Sequence, residues 1–151
     1  MRKPPNWVSK LAVLAIHEGL LAEHGGAIGL LDEGLLDAAL ASPRNHFAYK
    51  RADIIRLAAA YAYALTQNHP FADGNKRVAL TVAGVFMELN WFRLEASEQD
   101  AAHATRALSA REINEMAFAN WLRECSSKLR VAPRRASRKA TTNRRKTPKK
   151  K

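Results

Sequence analysis

The sequence predicts an all-α fold: a helical bundle that holds one functional loop between two central helices, with room for one short strand or hairpin. Three observations lead there. Apolar residues recur at helical spacing through most of the first 127 residues, cap-forming residues such as Asp32, Ser97 and Ser109 stand ahead of such runs, and only one short stretch alternates as a strand would. With 151 residues, 47% of them hydrophobic, the chain supports one domain with a real core.

Taken in order, Trp7 to Glu23 keeps an apolar face through Trp7, Leu11, Leu14 and Leu21 and reads as the first helix. Met1, Arg2 and Lys3 precede it, but Lys10 interrupts the apolar residues and Leu11 to Ile16 is shorter than a leader's apolar core of about 7 to 15 residues. No span reaches the roughly 18 apolar residues of a membrane helix, so no membrane partner is expected. A second helix is expected behind Asp32 as N-cap, stopping before Pro43, because proline lacks the N–H that a helix interior uses. Arg51 to Gln67 is the third, and Ala58, Ala59, Ala60, Ala62 and Ala64 let it pack closely at the centre. Asn75 to Leu89 is the fourth. Trp91 to Glu95 alternates enough for a short strand, which would pair only weakly on its own. Ser97 and Ser109 are expected to cap two more helices, the second through the capping box Ser109-x-x-Glu112, with Ile113, Met116, Ala117, Phe118, Trp121 and Leu122 on or near its inner side.

The loop between the third and fourth helices carries the chemistry. His69-Pro70-Phe71-Ala72-Asp73-Gly74-Asn75-Lys76-Arg77 gathers a proton acceptor, a carboxylate, a turn glycine and two cations just ahead of an amphipathic helix. A helix opening near Asn75 presents unpaired N–H groups and a partial positive charge, which suit phosphate oxygens. Gly74 lets the chain turn and approach closely. Asp73 is a candidate Mg²⁺ ligand, since that ion takes one or two carboxylates and keeps waters. Lys76 and Arg77 offer a point charge and a planar fork to the same phosphates. His69 is the candidate general base. Pro70 and Phe71 position the loop, Phe71 by inserting into the core. Singly, each residue is ordinary in a loop or on a solvated face; together they describe a phosphoryl-transfer site.

That run resembles the signature of the Fic/Doc family, in its Doc form HxFx(D/N)(A/G)NKR: Lys76 follows Asn75 where nucleotidyl-transferring Fic proteins carry glycine, and Leu80 stands where the Fic form has a second arginine. Glu23 to Gly29, Asp32 to Pro43 and Ala58-Ala59-Ala60-Tyr61 resemble further family segments, so the likeness runs from about His17 to about Glu124. Leu31 departs from the arginine many relatives place before the aspartate. The resemblance implies a Fic/Doc-type helical bundle and a Doc-like, death-on-curing toxin that moves the γ-phosphoryl of ATP to a threonine hydroxyl of elongation factor Tu and stops translation. By the same resemblance, His69 would act on that hydroxyl and Asp73 would hold Mg²⁺. Gly74, Asn75, Lys76 and Arg77 would hold the nucleotide phosphates. It implies restraint in trans by an antitoxin whose C-terminal segment folds as a helix into a groove. The inhibitory pattern (S/T)xxxE(G/N) is incomplete here, because Leu14 and Gly29 precede Glu18-Gly19 and Glu33-Gly34. Two alternatives stand beside this reading: AMP transfer as in the Fic branch, and a noncatalytic module that contacts nucleic acid.

Charge divides the chain. Of 25 lysines and arginines, 12 lie from Lys128 onward with none of the 14 acidic residues, so the segment from 128 to 151 carries +12 and residues 1–127 are close to neutral. We expect that tail to be disordered, and able to bind nucleic acid nonspecifically through phosphate neutralisation. No aromatic side chain is interleaved there for base stacking. Cys125 is the sole cysteine, which excludes an intrachain disulfide and favours a reducing, cytoplasmic setting; it is expected as a small buried residue of the last helix. His17, His24, His46 and His103 lack metal-type spacing, and packing or surface placement is expected for them. Gly25, Gly26 and Gly29 form no phosphate loop, since no Gly-Lys-Ser/Thr follows.

Overall fold

A helix made mostly of alanine on its tight side can be surrounded on every face, and the third helix is. The structure, a computed structural model, describes residues 3–130. In order these form α1 (Lys10–His24), α2 (Glu33–Lys50), α3 (Ile54–Asn68), α4 (Asn75–Leu89), β1 (Phe92–Leu94), α5 (Glu98–Ser109), α6 (Glu115–Glu124) and β2 (Ser126–Lys128). α3 buries Ile55, Leu57, the whole run Ala58 to Ala62, Ala64 and Leu65, and packs against α2, α4, α5 and α6. Leu36 of α2, Phe86 of α4 and Phe118 of α6 complete the core around it. The molecule is thus a mostly helical bundle with α3 and α4 at its centre and one loop between them.

Caps explain where the helices begin. Asp32 Oδ1 accepts from the Leu35 N–H at 3.0 Å, Asp53 Oδ1 from Arg56 at 2.9 Å and Ser97 Oγ from Asp100 at 3.1 Å. α1 starts later than the apolar face suggested: Ser9 caps it, and Trp7 and Val8 lie outside. Trp7 stacks on Phe86 at 5.9 Å, while the Val8 N–H donates to Tyr61 Oη at 3.1 Å, so this extended segment is docked on the core. Leu11, expected on the inner face, is 80% exposed; Val13 and His17 are the buried residues of α1.

α2 does not stop before Pro43. It runs on to Lys50 with Pro43 buried inside it. Proline removes one backbone bond, but the later turns of α2 gain tertiary anchors that offset it. Phe47 packs edge-on against Trp7, Arg44 lies 4.8 Å over the Trp7 ring, and His46 Nε2 meets Glu115 at 3.0 Å.

The strand finds a partner. β1 pairs antiparallel with β2, Phe92 opposite Lys128 and Leu94 opposite Ser126. The sequence Ser126-Ser127-Lys128 carries no strand pattern, and Lys128, counted by charge with the tail, is part of this ribbon. The Leu129 N–H extends it with a 2.7 Å bond to Trp91 O. Residues 131–151, most of the basic tail, lie outside the described residues.

The last helix begins at a different cap. Ser109 ends α5, and Asn114 caps α6 by accepting from the Ala117 N–H at 2.8 Å. The Glu112 N–H instead bonds to Ala107 O at 2.8 Å and Arg111 turns left-handed (φ 64°), which separates the two helices where the capping box was expected. Phe118 and Leu122 are buried as predicted, whereas Met116 is 49% exposed and Ile113 packs on the core from the turn before the helix. Cys125 caps the C-terminus of α6 rather than lying within it; burial, then the nearby Glu124 and Asp100 carboxylates, push its thiol pKa up, which keeps it protonated and unreactive at neutral pH.

Candidate active site

The loop leaves α3 through His69, whose backbone is left-handed (φ 51°, ψ 54°) and whose N–H bonds back to Leu65 O at 3.3 Å. That turn directs the chain toward the segment between α1 and α2, with which it pairs. The Leu31 N–H donates to Pro70 O at 2.8 Å, the Ala72 N–H to Gly29 O at 2.9 Å, and Leu30 bridges Phe71. The segment between α1 and α2 is therefore the second strand-like wall of the loop. Leu31 contributes its backbone there and its side chain is exposed, so the arginine common at this position is not needed for the pairing.

Phe71 is buried, as expected, and two side chains fix it. The Asn75 side chain accepts from the Phe71 N–H at 3.0 Å through Oδ1 and donates to Phe71 O at 2.9 Å through Nδ2. The His17 ring stacks on Phe71 at 3.8 Å and 14°, and its Nε2 lies 2.9 Å from Asp73 O. The Asn75 carboxamide thus clamps the loop from inside, and its backbone N–H is the group left to face a phosphate.

Asp73 is held from both sides. Its Oδ1 accepts from the Gly74 N–H at 2.8 Å and its Oδ2 from the Ala27 N–H at 3.3 Å. Gly26 makes that approach feasible, since a Cβ there would sit 2.8 Å from Asp73 Oδ2. Each carboxylate oxygen keeps a free lone pair, so a hard divalent cation fits this position with phosphate oxygens and water as its other ligands. Among the described residues no three His, Cys, Asp or Glu side chains converge on a metal position.

Gly74 (φ 82°) caps α4 without any side-chain bond, and the first intrahelical bond runs from Val78 N to Gly74 O at 2.9 Å. The N–H groups of Asn75, Lys76 and Arg77 precede it and point out of the helix end. In front of them lies a cavity of about 320 Å³. His69, Asp73 and the first turn of α4 form one wall, continued by Leu80, and Ala102, Thr105 and Arg106 of α5 form the other. Gln67 joins the walls, donating to Leu108 O at 3.3 Å and accepting from Arg111 Nε at 2.7 Å. Lys76, Arg77 and Arg106 are in none of the ion pairs found among the described residues, in contrast to Lys10, Arg56, Arg93 and Arg123. Unpaired cations around an open helix N-terminus make a site for a polyanion.

All eight residues singled out from the sequence thus lie on one loop and helix start, with His69, Asp73, Lys76 and Arg77 facing solvent and Pro70 and Phe71 buried behind them. Sequence reasoning missed His17, Gly26 and the α5 wall. The glycine pair at 25 and 26 was a usable signal, because adjacent glycines mark close backbone approach. His17 and Arg106 had none, being brought in from other helices.

This fold and this loop place the chain among known proteins. The sequence model of the Fic/DOC family matches residues 7–87, and the chain belongs to the Fic/Doc family as a Doc-like member. It is 29% identical over 117 residues to the protein kinase doc of Escherichia phage P1, covering 77% of this chain and 92% of that protein. It is 41% identical over 76 residues to the toxin Doc of Mycolicibacterium smegmatis, covering 48% of this chain and 57% of that one.

Proposed function

We propose that this protein is a Doc-like toxin that transfers the γ-phosphoryl group of ATP to a hydroxyl of a protein, a threonine of elongation factor Tu by the family resemblance, and so arrests translation in the cytoplasm. The observation that carries the reading is the cavity itself, where His69 and Asp73 stand beside the uncapped start of α4 and beside Lys76 and Arg77, which join none of the ion pairs among the described residues.

His69 takes the proton of the acceptor hydroxyl; its oxygen forms a bond to the γ-phosphorus as the bond to the β,γ-bridging oxygen breaks, and ADP departs with that oxygen. The N–H groups of α4 and the two cations hold the phosphate chain in line and balance its charge, which is most of what phosphoryl transfer asks of a protein. Mg²⁺ held at Asp73 would supply further neutralisation of the phosphates. Lys76, filling the place of a glycine, supports phosphoryl over adenylyl transfer because its side chain narrows the space beside the helix start.

Restraint would come from an antitoxin in trans. The relative named as a toxin supports that partner, as do the exposed apolar side chains Leu11, Ile28 and Leu31 near the loop. The basic tail adds nonspecific nucleic-acid contact by charge alone, to be read as a steep salt dependence.

The test is transfer to purified elongation factor Tu from ATP labelled at the γ or the α phosphate. Label from γ alone is expected, and label from α would replace the proposal with AMP transfer. His69→Ala is expected to end transfer and growth arrest; continued arrest in that variant would remove the general-base role. No label from either, with salt-sensitive DNA binding, would point to the noncatalytic reading.

A further inference from the structure

The cavity's second wall is not part of the loop motif. Arg106 lies in the last turn of α5, is exposed, lines the same space as Lys76 and Arg77, and takes part in none of the ion pairs found among the described residues. On the α4 side the lining turns apolar one turn beyond Arg77, at Leu80. A phosphate chain lying against the helix start would therefore meet cations at one end and a leucine at the other, unless α5 supplies the missing charge. Arg106 is the only basic residue of α5 that borders the cavity.

We infer that Arg106 is a substrate-binding residue, a guanidinium that closes on the phosphate chain of a nucleoside triphosphate from the side opposite Lys76 and Arg77. This rests on the phosphotransferase reading and adds α5 to the nucleotide site. An arginine suits the position, because its planar fork can take two phosphate oxygens at once. Gln67, Leu108 and Arg111 tie the end of α5 to the end of α3, so the guanidinium and His69 are carried on one connected frame.

A bland role exists for the same residue: a cation in the last turn of a helix complements the helix dipole. The two roles separate experimentally. With full-length protein and Mg²⁺ present, ATP and adenosine binding are titrated calorimetrically for wild type, Arg106→Gln and Arg106→Lys, with melting temperatures measured alongside. Loss of a charge-assisted contact predicts ATP binding about ten- to a hundredfold weaker in Arg106→Gln, with adenosine binding unchanged. Arg106→Lys should recover part of the affinity while losing the fork. Arg93→Ala, a surface residue paired with Glu88, serves as the control and should bind ATP as wild type does. If Arg106→Gln lowers only the melting temperature and binds ATP normally while wild type transfers phosphate, Arg106 serves the helix alone and the inference falls by itself. If wild type binds no ATP, it falls together with the phosphotransferase reading.

Discussion

Three glycines, one within α1 and two just after it, separate backbone freedom from a specific contact. Gly19 lies mid-helix in α1 with nothing within 4 Å of a built Cβ. Replacing it by alanine should stabilise the protein by about 0.5–1 kcal/mol, through helix propensity and a stiffer unfolded chain. Gly25 has φ +79° and equally open surroundings, so Gly25→Ala meets backbone strain alone, about 1–2 kcal/mol. Gly26 has φ +123°, and its added Cβ would sit 2.8 Å from Asp73 Oδ2 and 3.1 Å from Leu21 Cδ2. Asp73 must then swing away and release the Ala27 N–H. That adds about 1 kcal/mol for a solvent-exposed bond, for a total of about 2–3 kcal/mol and a melting point lowered by about 5–10 °C. If Asp73 holds Mg²⁺ as proposed, the displaced carboxylate would bind it less well, and the Mg²⁺ needed for half-maximal phosphoryl transfer should rise about tenfold in Gly26→Ala and stay put in Gly25→Ala. Scanning fluorimetry and a Mg²⁺ titration of transfer check both. Equal behaviour of the two variants would show that the Gly26–Asp73 approach is immaterial.

Three further outcomes are expected. Asn75→Ala leaves the buried Phe71 N–H and C=O unpaired, at about 3–4 kcal/mol in urea unfolding; Asn75→Asp keeps the acceptor and should lose about half as much. His17→Phe retains the stack on Phe71 but loses the contact to Asp73 O, so transfer should fall about tenfold with the melting temperature nearly unchanged, and an unaltered rate would deny His17 a positioning role. Burial pushes the Asp53 carboxyl up, but the Arg56 N–H and the Arg123 guanidinium outweigh it and hold the pKa below the ordinary value of 3.8. Its folded form therefore binds its proton less readily than the unfolded form, and its stabilisation is present above about pH 4 and lost as pH falls through the depressed value. Asp53→Asn keeps a helix cap and removes the ion pair, so the stability gap to wild type in urea unfolding should be small at pH 7, under about 1 kcal/mol given solvent screening, and should close in strong acid. A gap that persists in strong acid would assign the effect to the cap.

The loop was legible because its chemistry is contiguous: nine residues hold the histidine, carboxylate, glycine and cations, and a helix start supplies the N–H groups. Its support was not. The family resemblance implied Asn75 as a phosphate ligand, and its buried carboxamide is visible only once Phe71 is seen folded against it. Ser109 and Glu112 satisfied a capping rule that Asn114 satisfied better, since the left-handed turn at Arg111 had first to end α5.

What the sequence by itself determined is what depends on neighbours along the chain. Asp32 and Ser97 cap their helices, the alanines of α3 permit burial on all sides, Phe71 turns inward, and Lys76 marks the Doc form of the loop. Tertiary structure alone decided what depends on residues far apart. Pro43 is tolerated because Trp7 and Glu115 anchor the turns after it. Ser126 to Lys128 become a strand because Phe92 to Leu94 lie beside them. His17, Gly26 and Arg106 reach the loop from three other segments. The physical reason is the same throughout: caps and propensities act within one turn, whereas burial and pairing energies arise only when distant segments exclude water together.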